Sequence, residues 1–238
     1  MAPGWQCLGG GAQPSYLDTL LRRQQGNRIT EKLVVVAFGD SLTTGYISPT
    51  QDDEWPSPVP YTRFLTRKAE ALLRSEKSDL RVEVLNRGVV GELTEEMARR
   101  FDRDVVWLGP DVVVVLGGSN DLGWEMEPGA IAENLTAMYD QALAQGIRPV
   151  ACTVPSVLGF DGGIEPRLRL NAAIKRISAD RAIACVDLFS ATADADGRLR
   201  GEYSNDGLHL SPAGYEAMAD AIFASALSQI LLQRMSRA

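Results

Sequence analysis

Three side chains in this sequence have clear means of doing chemistry together: Ser41, Asp206 and His209. An apolar, β-branched run, Val34-Val35-Val36-Ala37-Phe38, stops abruptly at Gly39-Asp40-Ser41-Leu42-Thr43-Thr44-Gly45. A strand that ends this way sets Ser41 at the carboxyl edge of a sheet, where the N–H groups of the next turn favour negative charge. Such a place suits a nucleophile, because its attack creates an oxyanion that needs donors. On this segment alone, capping of the following helix is an equally good reading of Ser41. The balance tips far downstream, at Asp206-Gly207-Leu208-His209. In a loop, that spacing lets the carboxylate fold back onto the imidazole and accept a hydrogen bond from Nδ1. The tautomer is then fixed, and Nε2 is free to take a proton from Ser41. His209 is the single histidine of the chain, so mechanisms that need two imidazoles are excluded. A His-based zinc site would have to be built largely from other ligands.

Two further segments carry candidate donors. In Asn86-Arg87-Gly88-Val89-Val90-Gly91-Glu92-Leu93-Thr94, two nearby glycines let backbone approach a bound group with an N–H pointed at it. A plain strand-to-helix turn explains the same residues. In Gly117-Gly118-Ser119-Asn120-Asp121, the Asn120 amide could donate to the oxyanion or bond its own turn. Asp40 and Asp121 read as turn-shaping residues, Asp187 as a partner of loop backbone, and Asp52-Asp53-Glu54 as a solvated loop face.

Strands and helices that alternate along the chain must position these groups. Strands are expected at Leu33 to Phe38, Arg81 to Asn86, Asp111 to Leu116, Arg148 to Thr153 and Ala182 to Leu188. Helices are expected at Tyr61 to Leu73, Thr94 to Phe101, Ala130 to Gln145 with Gly146 as its terminator, and Pro166 to Ala179. Ser211-Pro212 starts a last helix to about Gln233, with Ser as cap and Pro at the first helical position. Tyr46 to Pro60 holds four prolines and reads as an irregular loop. Residues 1 to 30 are expected to form an N-terminal extension with one short helix, and residues 31 to 238 one domain. The alternation implies a parallel sheet with helices on both faces, and ligands bind such sheets at the carboxyl ends of the strands.

Composition narrows the partners. A chain of 238 residues, 45% hydrophobic and 23% charged, can close one large core. The formal net charge of −7 argues against nucleic acid and anionic membranes. Cys7, Cys152 and Cys185 lack metal-type spacing, and the latter two sit in apolar runs, as buried free thiols do. No run approaches the ~18 apolar residues of a membrane span. No secretory signal is visible, so a cytoplasmic location is expected.

Four segments then carry a resemblance. Gly39-Asp40-Ser41-Leu42, Asn86 to Gly91, Gly118-Ser119-Asn120-Asp121 and Asp206-Gly207-Leu208-His209 occur in the order and spacing of the GDSL, or SGNH, hydrolases. From about Leu33 to Leu232 the chain resembles their bacterial branch of esterases, thioesterases and lysophospholipases. The resemblance implies a flavodoxin-like three-layer α/β/α sandwich with a five-stranded parallel sheet. It implies Ser41 as nucleophile, His209 as base and Asp206 as its orienting acid. It also implies an oxyanion hole from the Ser41 N–H, the Gly91 N–H and the Asn120 amide. Gly91 is preferred over Gly88 because the family's donor glycine sits five residues after the Asn. An amide in that role contributes about 2.7–4 kcal/mol to the transition state. No metal or organic cofactor is expected.

The expected function is a serine esterase acting on short to medium acyl chains through an acyl-enzyme. A carbohydrate O-deacetylase of the same mechanism and a non-catalytic binding module are the alternatives. The chain has no G-x-S-x-G elbow, no phosphate-cradling Lys after Gly39 and no dinucleotide fingerprint. Trp55, Trp124, Val157, Leu158 and Phe160 are candidates to line an apolar substrate pocket, with ordinary loop packing as the other reading. Basic residues placed for a phospholipid headgroup are not evident, nor is an aromatic platform for sugars.

Overall fold

The structure is a computed structural model and describes residues 31–237. The expected extension over residues 1 to 30, with its short helix and Cys7, lies outside the described residues.

Among the described residues, β1 (Lys32–Gly39), β2 (Arg81–Gly88), β3 (Val112–Leu116), β4 (Arg148–Cys152) and β5 (Ala184–Val186) form one all-parallel sheet in the order β2-β1-β3-β4-β5. Every residue of β3 is buried, as the Val112-Val113-Val114-Val115 run requires. Covering a Val or Leu side chain this fully contributes about 1.5–3 kcal/mol. Helices α1 (Ser41–Thr44), α2 (Tyr61–Ser75), α3 (Thr94–Asp104), α4 (Ser119–Gly123), α5 (Pro128–Ala144), α6 (Ile164–Asp180), α7 (Leu188–Thr192) and α8 (Pro212–Ile222) complete the pattern, and a π-helical turn (Phe223–Leu227) joins α8 to α9 (Ser228–Met235). Helix α2 packs on α8 and α9, and α5 packs between α3 and α6. The result is the three-layer α/β/α sandwich expected from the sequence.

Strand register brings the chemical segments together. Gly39, the last residue of β1, pairs with Gly88 on one side and Leu116 on the other. The carboxyl ends of β1, β2 and β3 are therefore level, and the loops that leave them emerge side by side. After β1 the chain adds β2 to one edge and then β3 to the other. The strand order thus switches direction at β1, where crevices form in doubly wound sheets.

The departures from expectation are local. β5 is shorter than Ala182 to Leu188, because Ala182 adopts φ +53° and Asp187 turns to cap α7 through the Ser190 N–H. Helix α5 starts two residues earlier, with Pro128 in its first turn. Helix α6 starts at Ile164 and carries Pro166 in its first turn. Cys152 is buried and Cys185 partly so, and both are free thiols. Among the described residues, no helix is long and apolar enough to cross a membrane.

Candidate active site

Ser41 opens α1 directly after β1 and is 4% exposed. Asp40 shapes this turn. Its Oδ1 accepts the Leu42 N–H at 2.9 Å, and its carbonyl accepts those of Thr43 and Thr44 at 3.0 and 3.1 Å. Three of the four N–H groups of the first turn are therefore taken, and the Ser41 N–H has no acceptor among the described residues. Asn86 braces the turn from β2, donating through Nδ2 to the Thr43 carbonyl at 2.6 Å and accepting the Gly88 N–H at 2.9 Å.

The Asp206 segment behaves as its spacing suggests. Oδ1 of Asp206 accepts the backbone N–H groups of Leu208 and His209 at 2.9 and 2.8 Å, which folds the loop back on itself. Oδ2 then lies 2.8 Å from His209 Nδ1, and His209 Nε2 lies 3.2 Å from Ser41 Oγ. Donation from Nδ1–H to the Asp206 carboxylate fixes the proton on Nδ1 and leaves Nε2 as an acceptor facing the hydroxyl. Gly207 must be glycine. It sits at φ +82°, and an added Cβ would lie 2.1 Å from the Leu158 carbonyl oxygen. Its own carbonyl accepts the Leu158 N–H at 2.8 Å, stitching this loop to the one after β4.

Two residues of the proline-rich loop support the pair, and sequence reasoning missed both. The Ser48 hydroxyl donates to Asp206 Oδ2 and lies 3.3 Å from His209 Nδ1. The Tyr46 ring meets the imidazole edge-on at 4.6 Å between centroids, and the Tyr46 carbonyl is held by the Tyr215 hydroxyl. Burial raises the affinity of Asp206 for a proton. The bonds from Ser48, His209 and two backbone N–H groups outweigh it and hold the carboxyl well below its usual range. Nothing in a sequence signals Ser48, which reaches a partner 158 residues away.

The loop after β2 is fixed by a buried ion pair. Glu92 and Arg100 are both buried, and Arg100 Nε donates to Glu92 Oε1 at 2.6 Å. Arg100 also reaches the Gly39 carbonyl and lies 4.1 Å from the Phe38 ring centroid. Removing one member of such a pair costs about 3–5 kcal/mol, because the other is left charged and dry. The Asn120 amide donates to the Glu92 carbonyl at 2.9 Å, so the segments bearing Gly91 and Asn120 are tied to each other. Gly91 adopts φ +77°, which a side chain would resist. Asp121, read from sequence as a turn former, caps α3 instead. Its carboxylate accepts the Thr94 N–H at 3.1 Å and the Thr94 hydroxyl at 2.5 Å.

A cavity of about 640 Å³ opens beside these segments. Trp124, Val157, Leu158 and Phe160 line it, together with Asn120 and the stretch from Asp206 to Leu208. Trp55 does not line it: that residue is 89% exposed on the proline-rich loop.

Asp40 supplies a pH dependence of stability. It is fully buried, and its Oδ2 has no hydrogen-bond partner among the described residues. Burial, with smaller contributions from the charges of Asp121 and Glu92, pushes its pKa up to about 7 against the pull of the Leu42 N–H. The folded chain therefore holds this proton more tightly than the unfolded chain does. The stabilisation is complete below the unfolded value of 3.8 and is lost as pH rises through about 7. Asp40→Asn is expected to remove this dependence, on the order of 2–4 kcal/mol between pH 4 and pH 8. Urea melts of both proteins across that range check it, and parallel profiles would contradict it.

The sequence model of the GDSL-like Lipase/Acylhydrolase family matches residues 37–217. The uncharacterized lipoprotein YqeF of Bacillus subtilis is 30% identical over 134 residues. That match takes in 54% of this chain and 51% of the relative, so it spans about half the length of the relative. Among solved structures, the lipase/acylhydrolase from Enterococcus faecalis superposes with a TM-score of 0.64 at 25% identity, over 83% of this chain and 96% of that one. A variant of Axe2, an acetyl-xylooligosaccharide esterase from Geobacillus stearothermophilus, superposes with a TM-score of 0.65 at 18% identity, over 82% of this chain and 93% of that one.

Proposed function

The chain belongs to the GDSL-like lipase/acylhydrolase family, and on that premise we propose that it is a serine esterase cleaving carboxylic esters of short to medium acyl chains. The observation that carries the reading is the unbroken run from Asp206 Oδ2 through His209 to Ser41 Oγ, with separations of 2.8 and 3.2 Å. Ser41 Oγ attacks the ester carbonyl while Nε2 takes its proton, and Asp206 stabilises the imidazolium that forms. The tetrahedral oxyanion is received by the Ser41 and Gly91 N–H groups and the Asn120 amide, all of them donors fixed before substrate arrives. His209 then protonates the leaving alcohol. Water repeats the cycle on the acyl-enzyme and regenerates the hydroxyl.

The arrangement of Ser48 and Tyr46 around the imidazole supports the assignment of His209 as the base, since both hold the ring in one orientation. The apolar residues Val157, Leu158 and Phe160 support an acyl chain as occupant of the cavity. A panel of p-nitrophenyl esters of rising chain length, run beside acetylated sugars and acyl-CoA, tests the reading. Turnover is expected to peak among the short to medium acyl esters. A maximum on acetylated sugars would favour the carbohydrate deacetylase, and no hydrolysis of any substrate would favour a binding module.

A further inference from the structure

Arg167, in the first turn of α6, is 4% exposed and stands on the cavity wall. A guanidinium carries five N–H donors in a fixed plane. Two of these are used: Nη1 donates to the Gly163 carbonyl at 3.0 Å, and Nη2 to Ser119 Oγ at 3.3 Å. Nε is buried without any acceptor, and among the described residues no carboxylate pairs with the group. The neighbouring Arg169 is exposed and already paired with Glu165 at 3.1 Å. Glu125 and Glu127, which also line the cavity, are exposed to solvent.

A cation that has lost its water and gained no counter-charge is costly to the fold. Burial pulls the Arg167 pKa down to about 10, so it remains charged at neutral pH. Its Nη2 contact, Ser119, is the residue next to Asn120, and Asn120 lines the same cavity. An acid entering that cavity would find a planar, water-poor donor set suited to a bidentate carboxylate. We propose that the cavity takes esters that also carry a carboxylate, and that Arg167 receives this second group. The proposal rests on the esterase reading and names the substrate class of that same site.

Two matched pairs of substrates test it and separate the two places the carboxylate can sit. Monomethyl glutarate against methyl pentanoate places the charge on the acyl side. 4-Acetoxybenzoate against 4-methylphenyl acetate places it on the alcohol side. The wild-type enzyme is expected to favour the charged member of at least one pair by about tenfold or more in kcat/KM, mainly through KM. In Arg167→Met that ratio should fall to one or below, and Arg167→Lys should keep part of it. The ratio is internal to each protein, so a general loss of activity in a variant does not imitate the effect. Preference for the neutral ester in both pairs by the wild-type enzyme would overturn the proposal without recourse to any variant. A charged-ester preference that survives Arg167→Met would overturn it as well. Failure of the wild-type enzyme on all four esters would instead count against the esterase reading itself.

Discussion

His209→Ala is expected to lower kcat for ester hydrolysis by about a million-fold, the loss seen when the base of a serine triad is removed. The chain has no second imidazole that could take over. Without a base, the Ser41 hydroxyl is a weak nucleophile at neutral pH. The fold should survive the change. The backbone N–H of His209 still reaches Asp206 Oδ1, and its carbonyl still accepts the Ser204 hydroxyl. Circular dichroism and a thermal melt establish that the variant is folded before kinetics are compared. Near-normal hydrolysis by homogeneous His209→Ala protein would contradict the assignment.

Ser41→Ala is expected to match that loss, and the double variant to be no slower than either single one. Residues that act as one unit lose their joint contribution when the first is removed. Among the described residues, the side-chain hydrogen bond of Ser41 is the one to His209 Nε2, while Thr44 Oγ1 holds its backbone carbonyl. Replacing the hydroxyl by hydrogen should therefore shift stability by no more than about 1.5 kcal/mol. Losses that multiply in the double variant would mean that the two residues serve separate steps. Single-turnover measurements at saturating ester make the comparison without interference from product release.

Much of the framework was legible because it rests on local pattern. The valines of β3 and the apolar run of β1 announce strands covered on both faces, and Ser211-Pro212 announces the start of α8. Helices α1 and α4 are too short to show any periodicity, so sequence offers Ser41 as a nucleophile or helix cap and Asn120 as an oxyanion donor or turn residue, whereas each lies inside a short helix. The convergence of three loops depends on the register that sets Gly39 level with Gly88 and Leu116. Sequence conveys that only through the fold class.

Around the site, the Asp206 and His209 pairing could be read because it is three residues long. Ser48, the Glu92 and Arg100 pair and the cap that Asp121 places on α3 all join distant segments and leave no local trace. Trp55 was expected near substrate because its loop follows β1, yet loop membership does not say which way a tip projects. Arg167 is a different case, since a signal was present. The buried positions of α6 are Arg167, Leu170, Asn171, Ile174 and Ser178, one face at helical spacing. An arginine in phase with that face had to be either buried or at the rim of a cavity.

Covalent trapping tests the central claim most directly. The protein is treated with a fluorophosphonate, digested, and the modified peptide sequenced by mass spectrometry. A single adduct on Ser41, formed rapidly by the wild-type enzyme and negligibly by His209→Ala, is the predicted result. An adduct on another residue, or an unlabelled Ser41 in protein that still hydrolyses esters, would contradict the account.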